Sequence, residues 1–469
     1  MQAIRSGLAK LSRVELTRLN RILVIGVPII GSMLSQSITN LIDAAILCVS
    51  VLMGLSAAVQ AIVSRHYGAK RHKNTTDPLF AGILLTFLIA APLTYLFIRY
   101  STTYIGFYSS DPAVVEVASA YFDWRTLGLV FVGMTFVFRG FWSGIGETGV
   151  YLRIALIMHL SNVLISWFLI FCVGDWEGFG AVGSGMGSAA SLVIAALIFF
   201  WRTFAYDRRF RTQYHISRKT LRQLVRLAIP NSVSQTFFAL GLSVLFWIIG
   251  LIGTQEQAIG HILTQLSLLL IMPAVGLGIA GATLVGHSLG AEEKENAHIW
   301  GWEVVRVSVI ILATIGLPLW IAPEFVLRLF TPDQALIDLG TTPLRILGLG
   351  IGFEVASIIF TQTLLSAGAS KQVMFTNLLM QWVIFLPLAW LLGPTLGFGL
   401  TGIWLLQAAQ RITLSLIYGA IWHKRHWAHI NVLFRQSFDH AIAHARTRIL
   451  SLHQYAQSDC TPRGQRSCA

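Results

Sequence analysis

The apolar positions of this chain fall in long continuous runs separated by short polar stretches, not in the alternation of half-buried strands. The runs cover approximately residues 22–40, 44–64, 79–99, 113–138, 152–173, 179–201, 225–250, 258–286, 303–322, 337–365, 373–392 and 398–422. A helix needs about 20 mostly apolar residues to cross the hydrocarbon core of a bilayer. The pattern therefore predicts an all-α integral membrane protein with about twelve transmembrane helices, six in each half.

The two halves repeat one another. Gly54, Leu55, Ala58, Val63, Gly68 and Ala69 reappear 222 positions later as Gly276, Leu277, Ala280, Val285, Gly290 and Ala291. The same offset pairs Asp111 with Asp333 and Gly146 with Gly368. A paired proline breaks the register, because Pro28 lies 26 residues before Gly54 whereas Pro230 lies 46 before Gly276. The first hairpin is thus 20 residues short, 26 against 46, its loop and part of one or both flanking helices being absent. A single helix over 22–64 would measure about 64 Å at the standard rise, so two shortened helices turning near Asn40 to Ala45 are expected. The organisation read from this is a cytoplasmic N-terminal segment (1–21), an N-lobe (22–201), a basic linker (202–224), a C-lobe (225–422) and a tail (423–469).

Composition agrees with the runs: 55% of residues are hydrophobic and only 12% charged, against about 25% charged in soluble domains, and mean hydropathy is +0.68. The net charge of +13 comes from 34 Lys and Arg clustered before the first run, after the second, in the linker and in the tail. That placement is a topology signal rather than a nucleic-acid footprint. It predicts both termini and the linker on the cytoplasmic side, with no cleaved signal peptide. Cys48, Cys172, Cys460 and Cys468 show neither metal spacing nor a disulfide framework.

Several motifs have plain readings. Gly178-Phe-Gly-Ala-Val-Gly183 fits a dinucleotide fingerprint but lacks the strand that motif requires. Its counterpart Gly397-Phe-Gly-Leu-Thr-Gly402 points to tight turns and close helix packing instead. Asn74-Thr-Thr76 fits a glycosylation acceptor on the wrong side. Trp427, Ile430, Leu433, Phe434, Phe438 and Ile442 recur at helical spacing and suggest an interfacial amphipathic helix. The nearby histidines, His440 and His444 among them, lack a completing ligand shell, so no metal site is expected.

The chain resembles the multidrug and toxic compound extrusion (MATE) transporters. The resemblance rests on Asn40-Leu-Ile-Asp43, on Val63-Ser-Arg-His-Tyr-Gly-Ala69, on Gly144-Ile-Gly-Glu-Thr148, and on Met272-Pro-Ala-Val-Gly276 running into Ala282-Thr-Leu-Val-Gly286 and Leu289-Gly-Ala291. It implies secondary active efflux of organic, often cationic, compounds by two lobes with alternating access, driven by inward protons or sodium. Small-molecule organic substrates and membrane lipid are then the partners, with no nucleic acid and no organic cofactor. A monomer in a bacterial inner membrane is expected.

Candidate chemistry starts from intramembrane carboxylates, each costing about 2.5–3.5 kcal/mol or more at mid-membrane. Asp43 leads, because Gln36, Asn40 and Asp43 at i, i+4 and i+7 share one helical face and offer oxygen ligands. The resemblance adds Asn162, Ser166 and Ser188 to an N-lobe cation site, with Ser166 where the family usually has an acidic residue. In the C-lobe, Glu354 could carry a proton or simply pair with a neighbouring helix. Phe237, Phe238 and Trp247 are candidates for a cavity lining that attracts cations through ring faces. Asp123 and Arg125 receive no functional role. No nucleophile, base and orienting group assemble, so an enzyme is not expected. Two rivals remain, a flippase of lipid-linked precursors and a transport-inactive remnant. The flippase calls for a cationic cavity, whereas the basic residues read mainly as cytoplasmic.

Overall fold

The computed structural model describes residues 46–106, 111–171, 178–210 and 216–430, and among these there is no strand. The first run (22–40), with Gln36, Asn40 and Asp43, lies outside them. In the first half the helices are α1 (Ile46–Gly68), α2 (Asp77–Arg99), the short α3 (Ser101–Gly106), α4 (Pro112–Leu127), α5 (Leu129–Gly144), α6 (Thr148–Ile170) and α7 (Gly180–Phe210). In the second they are α8 (Arg218–Gly250), α9 (Thr254–Gly290), α10 (Lys294–Ile321), the short α11 (Pro323–Arg328), α12 (Gln334–Ser366), α13 (Ser370–Leu378), α14 (Leu386–Trp390) and α15 (Gly399–Lys424). Wide π turns at Leu379–Phe385 and Leu391–Thr395 flank α14. Ten helical segments among the described residues are long and apolar enough to cross a membrane. α15, with 26 residues, is of spanning length as well.

The repeat is physical. Asp111 and Asp333 each sit in extended backbone at a helix start and accept a 3.0 Å hydrogen bond from the amide two residues on, Ala113 and Ala335. A carboxylate there satisfies an otherwise unpaired amide and suits the positive helix end. Gly146 and Gly368 carry matching left-handed φ of 87° and 88°. The paired GxGxxG stretches behave alike: Gly178 and Gly180 have φ of 69° and 54°, and Gly397 and Gly399 have 72° and 58°. Only glycine adopts such angles at little cost, and a Cβ on Gly183 would stand 2.3 Å from the Leu169 carbonyl oxygen. The motif is a turn with close packing, as its lack of a strand predicts.

The glycine frame that reveals the repeat also joins the halves. A Cβ on Gly68 would lie 2.0 Å from the His287 carbonyl oxygen, and one on Gly290 would lie 2.2 Å from that of Arg65. The offset of 222 relates 68 to 290 and 65 to 287, so α1 and α9 cross in a self-complementary contact of the kind a twofold axis generates. Gly286, meeting Ser64 across the same crossing, is related to it by that offset. Around it, Gln60 Nε2 donates to Ile279 O at 2.9 Å, Thr283 Oγ1 to Ser143 O at 2.8 Å, and His287 Nε2 lies 2.8 Å from Gly144 O.

Arg65, counted from sequence as a topology charge, is instead buried at 6% exposure. Its Nη2 donates to Ala367 O at 2.7 Å and its Nη1 to Ile430 O at 3.1 Å. The expected amphipathic helix does not include Trp427 and Ile430. α15 ends at Lys424, Arg425 turns left-handed, and Trp427 stacks on Trp422 at 4.0 Å and is buried. Residues 431–469, with the rest of that expected helix, lie outside the described ones. Lipid-facing positions such as Leu88, Tyr95, Leu160, Val163 and Ile310 are broadly exposed, as suits a helix bundle in hydrocarbon.

Gly68→Ala should lower stability by about 1–3 kcal/mol, the usual cost of overpacking, read as a reduced melting temperature in detergent. Gly106→Ala, where nothing lies within 4 Å of the added methyl, should melt like the parent. Equal melting of all three would mean that the α1–α9 crossing does not limit stability.

Candidate functional site

Where α1 and α9 diverge from their crossing, the two halves enclose a cavity of about 280 Å³. Its walls come from both: Met53, Ser56, Gln60 and Arg139 from the first, and Asn231, Gln235, Met272, Gln362, Trp382 and Arg411 among others from the second. Polar side chains fix the far wall. Tyr418 OH donates to Asn377 Oδ1 at 2.7 Å, and Asn377 Nδ2 reaches Ser234 Oγ at 3.3 Å. Gln410 Nε2 donates to Met380 O and Gln381 Oε1, both at 3.2 Å. The π turn that holds Met380, Gln381 and Trp382 loosens the helical ladder and so frees a carbonyl for Gln410. Trp382 Nε1 donates to Phe237 O at 3.1 Å, tying that turn to α8.

Of the aromatic candidates, Phe237 and Phe238 line the cavity and Trp247 does not; its ring is 61% exposed on the outer surface. Glu354 lies behind the lining, its Oε1 3.5 Å from Arg411 Nε. The carboxylate therefore pairs with a neighbouring helix, one of its two sequence readings. Two basic residues, Arg139 and Arg411, line the cavity. Among the described lining residues there is no Asp or Glu. Arg139 is 5% exposed; its Nε donates to Ser56 Oγ at 3.3 Å and its Cζ lies 4.8 Å from the Phe136 ring centre.

A second polar cluster joins α4, α6 and α7 in the first half. Asn162 Nδ2 donates to Ser188 Oγ at 3.1 Å and reaches Ser191 Oγ at 3.4 Å. The expected pairing of Asn162 with Ser188 is thus present, but Ser166 stands aside: its hydroxyl is buried against Gly187, where a Cβ would come within 2.3 Å, and makes no hydrogen bond. Arg125, given no role from sequence, enters the cluster, with Nη1 donating to Ser188 Oγ at 3.0 Å. Its mid-run position was the signal available, since a guanidinium in a spanning segment seeks a polar interior.

The MatE family model matches residues 35–168 and 230–391. A probable multidrug resistance protein NorM of Thermotoga maritima is 24% identical over 394 residues, covering 80% of this chain and 82% of that protein. Another from Agrobacterium fabrum is 27% identical over 437 residues, covering 81% and 88%. Among solved structures, an outward-facing multidrug resistance MATE family transporter superposes with a TM-score of 0.79 at 15% identity, covering 88% of this chain and 96% of that one. A MOP superfamily transporter from Pyrococcus furiosus, described as having a binding pocket of reverse polarity that suggests a different function, superposes at 0.75 with 17% identity, covering 86% and 95%.

Removing one member of the Glu354–Arg411 pair leaves the other charge without its partner, so Glu354→Gln and Arg411→Met should each cost about 1–3 kcal/mol. The double variant should recover much of that loss, since replacing both members of a buried pair is often close to neutral. Melting temperatures of the three variants check this; additive losses would mean that the two side chains are not coupled.

Proposed function

The chain belongs to the MatE family, and from that premise we propose that it is a secondary active exporter of organic compounds working by alternating access. The observation that carries this reading is the cavity shared by both halves and shut at one end by the α1–α9 crossing. The basic stretches after α1 lie at that end, so by the positive-inside argument the closed face is cytoplasmic and the cavity is accessible from outside. An inner-membrane location with cytoplasmic termini follows from the same argument. Export then requires the crossing to part, releasing the hydrogen bonds of Gln60, Arg65, Thr283 and His287. Each is worth about 0.5–1.5 kcal/mol net, so a substrate or ion with a modest preference for one state can shift the balance.

Asp43 remains the proposed coupling carboxylate, with Gln36 and Asn40 on its face. The N-lobe cluster supports protons over sodium as the driving ion. A guanidinium already donates to Ser188, and Ser166 adds no charge, so a bound sodium at Asn162, Ser166 and Ser188 would meet a fixed positive group and one carboxylate fewer. The lipid-linked precursor flippase is favoured by the cationic lining, but a cavity of about 280 Å³ is at the lower edge of drug-sized sites, about 300–1,000 Å³. That size suits one small amphiphile.

Efflux by cells or proteoliposomes that contain the chain should stop when the proton gradient is collapsed and continue when sodium is replaced by choline. Asp43→Asn should abolish it at equal expression. Sodium dependence would overturn the coupling proposal, and no efflux of any tested compound by the parent would leave the remnant reading. A Gln60→Cys, Thr283→Cys pair bridged by a short bifunctional thiol reagent should also arrest transport, with single-cysteine controls active.

A further inference from the structure

Resting on the export reading, we propose that the cavity selects organic anions: a carboxylate or phosphate monoester group held by Arg139 and Arg411, with its apolar body against Phe237, Phe238 and Met272. Arg139 is the stronger half of the argument. A guanidinium stays protonated even when buried, and at 5% exposure it has given up most of its water. Its Nε is used by Ser56, the Tyr151 hydroxyl lies beside it, and the Phe136 ring covers one face. Its Nη1 has no hydrogen-bond partner, and no carboxylate pairs with it among the described residues. A buried cation without a counter-charge is costly, and Arg139 lines the cavity with its Nη1 covered and unpartnered. A guanidinium is the fork which matches a carboxylate or phosphate in two-point geometry.

Arg411 supplies a second positive group from the other half. Glu354 engages its Nε at 3.5 Å from behind the lining, which orients the guanidinium while keeping the carboxylate out of the cavity. The remaining polar lining consists of amides and hydroxyls such as Gln60, Asn231 and Gln362, which accept a ligand of either sign. A cation in the same place would have ring faces to attract it but the uncompensated guanidinium of Arg139 to repel it, with Arg411 partly offset by Glu354, and a full charge outweighs ring quadrupoles. The anionic group has two sources, a soluble organic acid or the headgroup of a membrane lipid.

The test is equilibrium dialysis of the full chain in phosphatidylcholine nanodiscs, with empty discs subtracted, against biphenyl-4-carboxylate and the isosteric biphenyl-4-ylmethylammonium. The parent should bind the carboxylate about 10- to 100-fold more tightly, the range expected for a charge-assisted hydrogen bond. Arg139→Met should lose most of that preference, and Arg139→Lys should keep part of it. Equal or tighter binding of the ammonium by the parent overturns the proposal whatever the variants do, so it stays testable if Arg139→Met fails to fold. Unchanged carboxylate affinity in folded Arg139→Met and Arg411→Met overturns it too. Competition by hexyl phosphate supports the proposal with a soluble source, and competition by submicellar lysophosphatidate but not lysophosphatidylcholine supports it with a lipid source. Carboxylate binding without movement of the compound across proteoliposomes would defeat the export reading while leaving the selectivity in place. Efflux of organic cations by a protein that prefers the ammonium would do the reverse.

Discussion

The close approach of α1 and α9 at Gly68, Gly286 and Gly290 is the constraint on which the rest of the structure depends. At Gly68 and Gly290 a Cβ would stand 2.0–2.2 Å from a carbonyl oxygen, and at Gly286 2.0 Å from the Ser64 hydroxyl oxygen, so no other residue fits without movement. In a membrane, where lipid tails solvate apolar side chains as well as protein does, such small-residue contacts and the hydrogen bonds around them replace the hydrophobic drive that holds soluble lobes together. The seam therefore combines backbone proximity with a modest set of hydrogen bonds. It can be firm and still open, because the energy of the seam resides in a few directional contacts rather than in a large buried apolar face.

Because that contact is reciprocal, it fixes where the cavity must lie. Two helices that cross near their C-terminal ends diverge toward their middles, and Met53, Gly54, Ser56 and Gln60 of α1 line the space that results. The walls beyond are held by Tyr418, Asn377 and Gln410, whose hydrogen bonds join α8, α13, the adjoining π turn and α15. Most cavity polar groups are thus satisfied by the protein. Arg139 Nη1, Asn231 Oδ1 and Arg411 Nε are the exceptions among the described residues, and of these Arg139 is the full charge without an ion-pair partner, which is why it carries an argument about ligand charge.

Much of the fold was legible in the sequence, since unbroken apolar runs and a repeat at one offset constrain a helical bundle strongly. Asp111 with Asp333 and Gly146 with Gly368 were chosen by identity alone, and they occupy equivalent caps and left-handed turns because such geometries admit few residue types. The site was legible only in part. Asn162 and Ser188 do meet, and Phe237 and Phe238 do face the cavity, but Trp247 faces outward, because the face a spanning residue presents depends on neighbouring helices that sequence does not specify. Arg65 and Arg139 were passed over for the same reason. A positive charge near a run's end reads as topology, and whether it reaches water, a carbonyl or a cavity is decided by packing three helices away. Asp43, the leading sequence candidate, lies outside the described residues.

A symmetric frame can still present an asymmetric chemical surface, and this one does. The offset that relates Gly68 to Gly290 relates Arg139 to Thr361, and both line the cavity. It also relates Glu354 to Val132, so the carboxylate that steadies Arg411 has no counterpart in the first half. The repeated positions, the capping pair Asp111 and Asp333 included, are those where the backbone geometry tolerates little variation, while Arg139 and Glu354 fall between them and are not repeated. The proposed alternating access asks the two halves to move alike, which suits the repeated seam, and the proposed selectivity asks the two walls to differ, which unrepeated positions allow. Arg139 thus stands outside the α1–α9 glycine contacts, so the selectivity proposed for it and the movement proposed for the seam rest on different residues.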